Sequence, residues 1–441
     1  MTICPVTALY KRDDGIVDFS GDRCIGCKSC MAACPYDAIY IDPDTHTIGK
    51  CNYCAHRVDV GLQPACVNVC PVEAIITGDL DNSASRISQL LTLEAATVRR
   101  PEKGTRPKLF YLGADEAAVN PEATSEQPMY IWGEPDPEKP IRIGESMAFV
   151  PSGMVQRNYS VGHHQPWGWQ VSTYMWTKSV SAGVFLVAAI LFLLGGYRNG
   201  HALFTILTPI LALLFLGITN VLLVMDLERP ERFWRVLLWP NWASWLVIGA
   251  YLLSGYGALV TLALLAGIFG LNDLFRAVAW PGAALAVGAS CYTAFLLAQA
   301  KGRDLWQSPI LPVHLLAQSV VAGASALAIM ALPLDGGDIR SIAIFMLLGL
   351  AANLALVLSE ITLPHVTAQT KIALDHLSAG GPLGAFWAGV ISLGTLIPFA
   401  LAVSVAAGDP HISLLPAALL ALGGLALYDY LYIRAGQSVP L

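Results

Sequence analysis

Eight of the ten cysteines in this chain stand between Arg23 and Pro71. Cys24, Cys27, Cys30 and Cys34, followed by Pro35, have the C-x2-C-x2-C-x3-C-P spacing of a 4Fe-4S motif, in which three thiolates wrap one cubane and the fourth reaches a different one. Cys51, Cys54, Cys66 and Cys70, followed by Pro71, repeat the pattern with eleven residues between the second and third cysteines. Two groups imply at least two 4Fe-4S clusters. In the simplest pairing Cys24, Cys27, Cys30 and Cys70 hold one, and Cys51, Cys54, Cys66 and Cys34 the other. Four-ligand zinc sites do not call for a fourth cysteine plus proline twice over. Disulfides need an oxidising compartment, and Met1 leads straight into Cys4 with no charged or apolar leader.

Cys4-Pro5-Val6-Thr7-Ala8 is the phrase that follows the fourth cysteine of such a motif, without the three cysteines that would precede it. Cys4 is therefore either a spare thiol or the ligand that completes the cluster begun by Cys24, Cys27 and Cys30. In the second case a cysteine of the other group serves a cluster completed outside this chain.

These cysteines must be held by something that is mostly apolar. Of 441 residues 55% are hydrophobic and only 13% charged, at a mean hydropathy of +0.56, which places the chain in a lipid bilayer. No basic run points to nucleic acid. Short β-branched runs at 38–41 and 74–77 suit small strands beside the clusters, and 85–98 suits a helix. The proline-rich stretch 99–151 reads as an extended strap. Eight apolar runs long enough to cross the hydrocarbon follow, at 178–197, 203–225, 242–266, 278–300, 311–332, 342–363, 384–406 and 412–432. Cys291, inside the fourth, reads as an inert buried thiol.

An even number of crossings puts both termini, and so the cysteines, on one side. That side carries Lys178, Arg229, Arg232, Arg235, Lys301, Arg303, Lys371 and Arg434, against Arg198, Arg276 and Arg340 opposite, which favours the cytoplasmic face of the inner membrane. Polar residues of the crossings gather on the same side: Asn220, Asp226, Tyr292, Gln299, His314, Gln318, Asn353, Glu360, Tyr428 and Asp429. Ionisable groups at membrane depth are costly and mark a pathway or a pocket. His163, His164, His201, His314, His365, His376 and His411 lie at or near the ends of crossings, so no pair suits a transmembrane haem. Electrons leaving the clusters then need an acceptor at the membrane edge. A quinone fits, taking hydrogen bonds at its carbonyls and two protons. Tyr174, Lys178, His314, Asn220 and Arg229 are the headgroup candidates, with Asp226 and Glu360 for protons.

Asp226-Leu227-Glu228-Arg229-Pro230-Glu231-Arg232-Phe233-Trp234, then Pro240-Asn241-Trp242 and Ser244-Trp245, resembles the signature of the NrfD, or polysulfide reductase membrane-subunit, family. Trp167-Gly168-Trp169 and the closing Arg434 to Pro440 resemble it too. The front segment is similar to the ferredoxin-like iron–sulfur subunits that accompany such proteins, which usually carry four motifs where this chain has two and a remnant. The resemblance implies eight transmembrane helices in two four-helix bundles, without haem, behind an α+β ferredoxin-like domain. It also implies a menaquinone or ubiquinone site on the iron–sulfur side and a separate catalytic subunit, often a molybdopterin enzyme. Domains are expected at 1–84 (4Fe-4S), 85–165 (strap) and 166–441 (membrane). The expected function is a respiratory oxidoreductase's electron-transfer subunit, linking that catalytic subunit, and a further iron–sulfur protein where one is present, to the quinone pool. A redox-driven proton or ion translocator and a membrane anchor for a hydrogenase-type subunit are the alternatives.

Overall fold

The computed structural model describes residues 1–119, 165–194, 202–334, 339–363, 367–378, 384–408 and 411–439. His163, His164, Arg198, His201 and His365, and most of the expected strap, lie outside them. The chain forms two compact units. One comprises Met1–Cys34, Ala38–Lys50 and Pro166–Val439, the other Pro35–Asp37, Cys51–Gln165 and Pro440–Leu441.

Among the described residues of the first unit eight helices are long and apolar enough to cross a membrane: α1 (Trp169–Leu193), α2 (Leu203–Met225), α3 (Trp245–Ile268), α4 (Asn272–Ala298), α5 (Leu311–Ala331), α6 (Ile339–Thr362), α7 (Ala385–Ala407) and α8 (Leu414–Ser438). The shortest, of 21 residues, reaches roughly 30 Å at about 1.5 Å per residue. The first helix begins nine residues before the apolar run at 178, because Lys178 is enclosed in protein rather than placed at the lipid boundary. The last runs on past the apolar run ending at 432, through Arg434 to Ser438. Two helices open with wider π-type turns, at Leu203–Leu207 and Ala385–Leu396.

Helices α1 to α4 pack on one another, as do α5 to α8, and α1 against α5 joins the halves. Small residues make that crossing possible. A Cβ on Gly183 would stand 1.8 Å from Ser319 O, and one on Gly323 would stand 2.1 Å from the Gly183 carbonyl. The two backbones therefore touch, the close approach that small residues allow between membrane helices.

The cysteine-bearing part of this unit is two hairpins, β1 (Leu9–Lys11) with β2 (Val17–Phe19) and β3 (Ile39–Ile41) with β4 (Ile48–Lys50), and a short helix at Ser29–Ala33. Its core of Ile3, Val6, Ala8, Ile25 and Ile48 continues into Val236 and into Val247 of α3. Each isoleucine or valine among them contributes on the order of 1.5–3 kcal/mol.

The second unit differs from the sequence expectations at three places. The run 74–77 forms no strand. The helix expected over 85–98 stops at Leu93, and Ala96–Thr97 turns into a strand paired with Tyr111–Leu112. Ser85 fixes its start by accepting from the Ser88 N–H. Within the expected strap, that second strand and a helical turn at Glu116–Val119 are ordered structure.

Candidate cluster cradle and membrane polar site

Cys4, Cys24, Cys27 and Cys30 line one cavity, with Pro5, Val6, Ala8, Ile25, Lys28 and Ile48 as the rest of its wall. Two left-handed residues, Gly26 and Lys28, bend the backbone so that three thiols face inward. Only glycine fits at Gly26, where a Cβ would stand 2.4 Å from Glu228 Cβ. Burial, and then the Cys4 thiol beside it, push the Cys27 thiol up to about 12, and Cys30 is raised chiefly by burial and by the neighbouring thiols. Cys27 and Cys30, held as thiols by burial and by their neighbours, need a strongly cationic guest to become thiolates. Among the described residues no three ligating side chains converge as they would on one metal ion. A cubane is held at separated corners, so the donor set fits an iron–sulfur cluster. The cavity is closed by Cys4 and not by Cys34.

In the second unit Cys51 and Cys66 are exposed, and both bear electrostatically on Tyr53. Tyr53 and Cys54 take positive φ, as Gly26 and Lys28 do between Cys24 and Ser29.

The membrane part grips the first cavity through the 226–244 loop. Glu228 and Arg229 donate their backbone N–H groups to Gly26 O and Ile25 O. Arg232 Nη1 donates to Gly21 O and Cys24 O at 2.9 and 2.8 Å, Arg235 to Asp22 O, and Arg229 Nε to Thr45 O at 2.9 Å. Asn241 Nδ2 donates to Cys4 O at 2.7 Å and Ser244 Oγ to Ile3 O at 2.9 Å. Trp167 Nε1 donates to Cys27 O, and its backbone exchanges hydrogen bonds with the Gln437 amide. Trp167 also stacks on Trp306, with ring centroids 5.3 Å apart. These arginines are occupied in docking, which explains the basic surplus on this side without reference to the leaflet.

Next to this contact, the Lys28 ammonium meets Asp226 Oδ1 at 3.3 Å and Glu228 Oε1 at 3.4 Å. Asp226 lies within electrostatic reach of Tyr174, one turn before Lys178 on α1. Lys178 is 1% exposed. Its Nζ donates to Ser290 O at 3.0 Å and Thr293 Oγ1 at 2.6 Å, and stands over the Tyr292 ring. Asp429, on α8, is the carboxylate that acts on it. Asp429 Oδ1 and both amide atoms of Gln318 are buried with no hydrogen-bond partner within 3.5 Å among the described residues, the Gln318 amide and the Asp429 carboxyl facing each other at longer range.

A second polar group lies in the other half. His314 Nε2 and Asn353 Oδ1 are 3.1 Å apart, His314 Nδ1 is 3.8 Å from Glu360, and the Tyr428 hydroxyl donates to Glu360 at 3.2 Å. The two groups correspond. Tyr174, Lys178, Ser179 and Gly183 of α1 recur at one constant offset as His314, Gln318, Ser319 and Gly323 of α5. Asp226 and Glu360 each end the next helix of its half, and Tyr292 and Tyr428 sit on the fourth. Tyr428 and Asp429, adjacent on α8, face one group each.

Of the seven candidates, Tyr174, Lys178 and Asp226 thus fall in one group and His314 and Glu360 in the other. Asn220 is exposed on the outer face of α2, and Arg229 is turned to Thr45. Asp429, Gln318, Asn353, Tyr292, Tyr428 and Lys28 complete the groups without having been singled out as site residues. The signal for Asp429 was available: a lysine inside an apolar helix calls for a carboxylate partner, and Asp429 is the acid within the last crossing.

Residues 156–440 match the family model described as polysulphide reductase, NrfD, and residues 1–80 match that of a 4Fe-4S dicluster domain. The protein is 46% identical over 134 residues to a tetrathionate reductase subunit of Salmonella typhimurium, covering 30% of this chain and 53% of the relative. It is 43% identical over 111 residues to a polysulfide reductase chain of Wolinella succinogenes, covering 25% and 58%. It is 35% identical over 181 residues to a putative dimethyl sulfoxide reductase iron-sulfur subunit of Halobacterium salinarum, covering 37% and 66%. The chain therefore spans between about half and two thirds of the length of these relatives.

Proposed function

Because this chain is a member of the NrfD family, we propose that it is the electron-transfer subunit of a respiratory oxidoreductase, passing electrons between a separate catalytic subunit, of molybdopterin type, and menaquinone or ubiquinone in the inner membrane. The observation that carries this reading is the Lys28–Asp226 ion pair on the wall of the cysteine cavity, whose carboxylate lies within electrostatic reach of Tyr174 in the buried group with Lys178. When bound, the clusters accept and release single electrons. The protein's own residues do the rest. Lys28 and the arginine clamp fix the cavity against the membrane surface, Tyr174 and Lys178 supply donors for a quinone carbonyl, and Asp226 holds or releases a proton beside them. A buried polar atom without a partner costs about 1–3 kcal/mol, so Asp429 and Gln318 favour a site that receives water or a polar headgroup.

The group around His314 and Glu360 supports a second role. It stands at corresponding positions with His314 in place of Tyr174 and Gln318 in place of Lys178, and its contacts are with α6 and α8 rather than with the cysteine cavity, which suits proton movement better than electron transfer.

The test is quinone reduction by the chemically reduced protein in proteoliposomes. Wild type should reduce a water-soluble menaquinone analogue, and Lys178→Met should lower the rate at least tenfold with cluster spectra unchanged. Proton uptake without any quinone would favour the ion-translocator reading instead.

A further inference from the structure

The loop that grips the cysteine cavity has a second face, and that face is apolar. Its inward side is occupied by the cavity. Arg229, Arg232 and Arg235 reach the carbonyls of Thr45, Cys24 and Asp22, Asn241 and Ser244 reach those of Cys4 and Ile3, and Val236 is buried in the cavity's own core. The residues between them turn outward. Phe233, Trp234, Leu237, Leu238, Trp239 and Trp242 are all exposed, too dense a group of large apolar side chains to be left to water.

These side chains form one plate. Trp234 and Trp239 meet with ring centroids 5.3 Å apart, the Arg235 guanidinium stands over both, and Trp242 packs on Tyr251 of α3 at 4.7 Å. The polar ends of two rings are tied to the chain itself, the Trp234 indole donating to Glu231 O and the Tyr251 hydroxyl to Leu237 O. The short helix Arg235–Leu238 thus presents mostly carbon to its surroundings.

The plate continues the outer surface of the spanning helices. On α2, Ile210, Leu214, Ile218, Val221 and Met225 are exposed at intervals of three and four residues, a stripe along one helix face that ends where the loop begins. Tyr251, Leu262 and Leu265 continue it on α3. Such a stripe on a helix long enough to span the hydrocarbon faces acyl chains, and tryptophan and tyrosine at its end belong at the level of the headgroups.

We propose that residues 233–242 lie in the lipid headgroup layer, as an interfacial elbow whose aromatic plate sets the depth of the first cysteine cavity. The occupant of the plate is phospholipid. A protein cover would have to stop at the lipid-facing stripes of α2 and α3, with which the plate is continuous. The loop's three arginines are engaged with the cavity, so the plate holds lipid by apolar contact and not by headgroup charge. Because Asn241 and Ser244 bond the Cys4 segment from this same loop, the cavity is carried at headgroup depth. This inference concerns the lipid boundary and does not depend on the quinone reading.

The experiment is quenching of tryptophan fluorescence in the full chain, reconstituted in phosphatidylcholine vesicles whose acyl chains carry bromine either near the headgroup or near the methyl end. Wild type is compared with Trp239→Phe/Trp242→Phe, and the difference isolates these two indoles. Iron content equal to wild type shows that the double variant is folded; should it fail to fold, Trp239→Phe alone reads the same plate. The expected result is a difference signal quenched about twofold more strongly by the shallow bromine than by the deep one, and equally so in phosphatidylglycerol vesicles. A difference signal untouched by either lipid would overturn the inference, as would stronger quenching by the deep bromine or quenching confined to phosphatidylglycerol. The same measurement on the complex captured through a tag on this chain tells lipid from protein. Quenching retained there supports the inference, and its loss, with a companion protein covering the plate, would overturn it.

Discussion

Lys28 Nζ stands 3.3 Å from Asp226 Oδ1, joining the wall of the cysteine cavity to the carboxylate that ends α2. Burial pushes that carboxyl up to about 6 against the pull of Lys28. The folded pKa is raised above the ordinary value near 3.8, so the neutral form is favoured and is lost as pH rises through about 6. A proton donor at this position makes quinone reduction fall, and quinol oxidation rise, as pH increases across that window. In Asp226→Asn both profiles should be flat there, measured as initial rates between pH 5 and 8.

Cys4 closes the first cavity from a position well outside the Cys24–Cys30 motif. Cys4→Ser should remove one cluster, about half the iron of a two-cluster preparation, with loss of its EPR signal. Cys291→Ser, in α4, should change neither.

Arg232 reaches two carbonyls of the cavity loop at once, a planar fork that lysine cannot reproduce. Arg232→Ala and Arg232→Lys should both loosen residues 1–50, at about 1.5–3 kcal/mol for the lost charged hydrogen bonds before solvent screening at this part-exposed site. Limited proteolysis and iron retention during dilution would register the change.

Gly183 and Gly323 let α1 and α5 touch. Gly183→Val should part the two halves of the membrane domain and lower the thermal midpoint in detergent by several degrees or abolish folding. Gly217→Ala, on α2, where nothing lies within 4 Å of an added Cβ, should be close to neutral.

The membrane spans were legible because each is a long apolar run broken by charge, proline or glycine. What misled was the same rule applied to buried charge: Lys178 bounds the first apolar run, yet the helix extends beyond it, since its ammonium donates to Ser290 O and Thr293 Oγ1 and feels the charge of Asp429. The cysteine motifs identified the clusters but not their pairing, which depends on whether Cys4 folds back over the Cys24 loop. The loop from Asp226 to Trp234 carried the family resemblance, and its Arg229 invited a headgroup role. The structure instead uses Arg229, Arg232 and Arg235 to hold backbone carbonyls, a use that leaves no side-chain pattern in the sequence. Asn220 shares a helix with Thr219 but points the other way, a difference of one residue in phase. Duplication of the site was readable as well, since Tyr174/Lys178/Gly183 and His314/Gln318/Gly323 keep the same spacing.

The central claim is that electrons held by the clusters leave to a quinone at the Tyr174–Lys178 group. The most direct measurement follows cluster reoxidation optically after adding a menaquinone analogue to dithionite-reduced proteoliposomes under anaerobic conditions. Rapid reoxidation in wild type, slowed at least tenfold in Lys178→Met and in Tyr174→Phe at equal cluster content, is the predicted result. Reoxidation at wild-type rates in both variants, or none in the wild type, would contradict it.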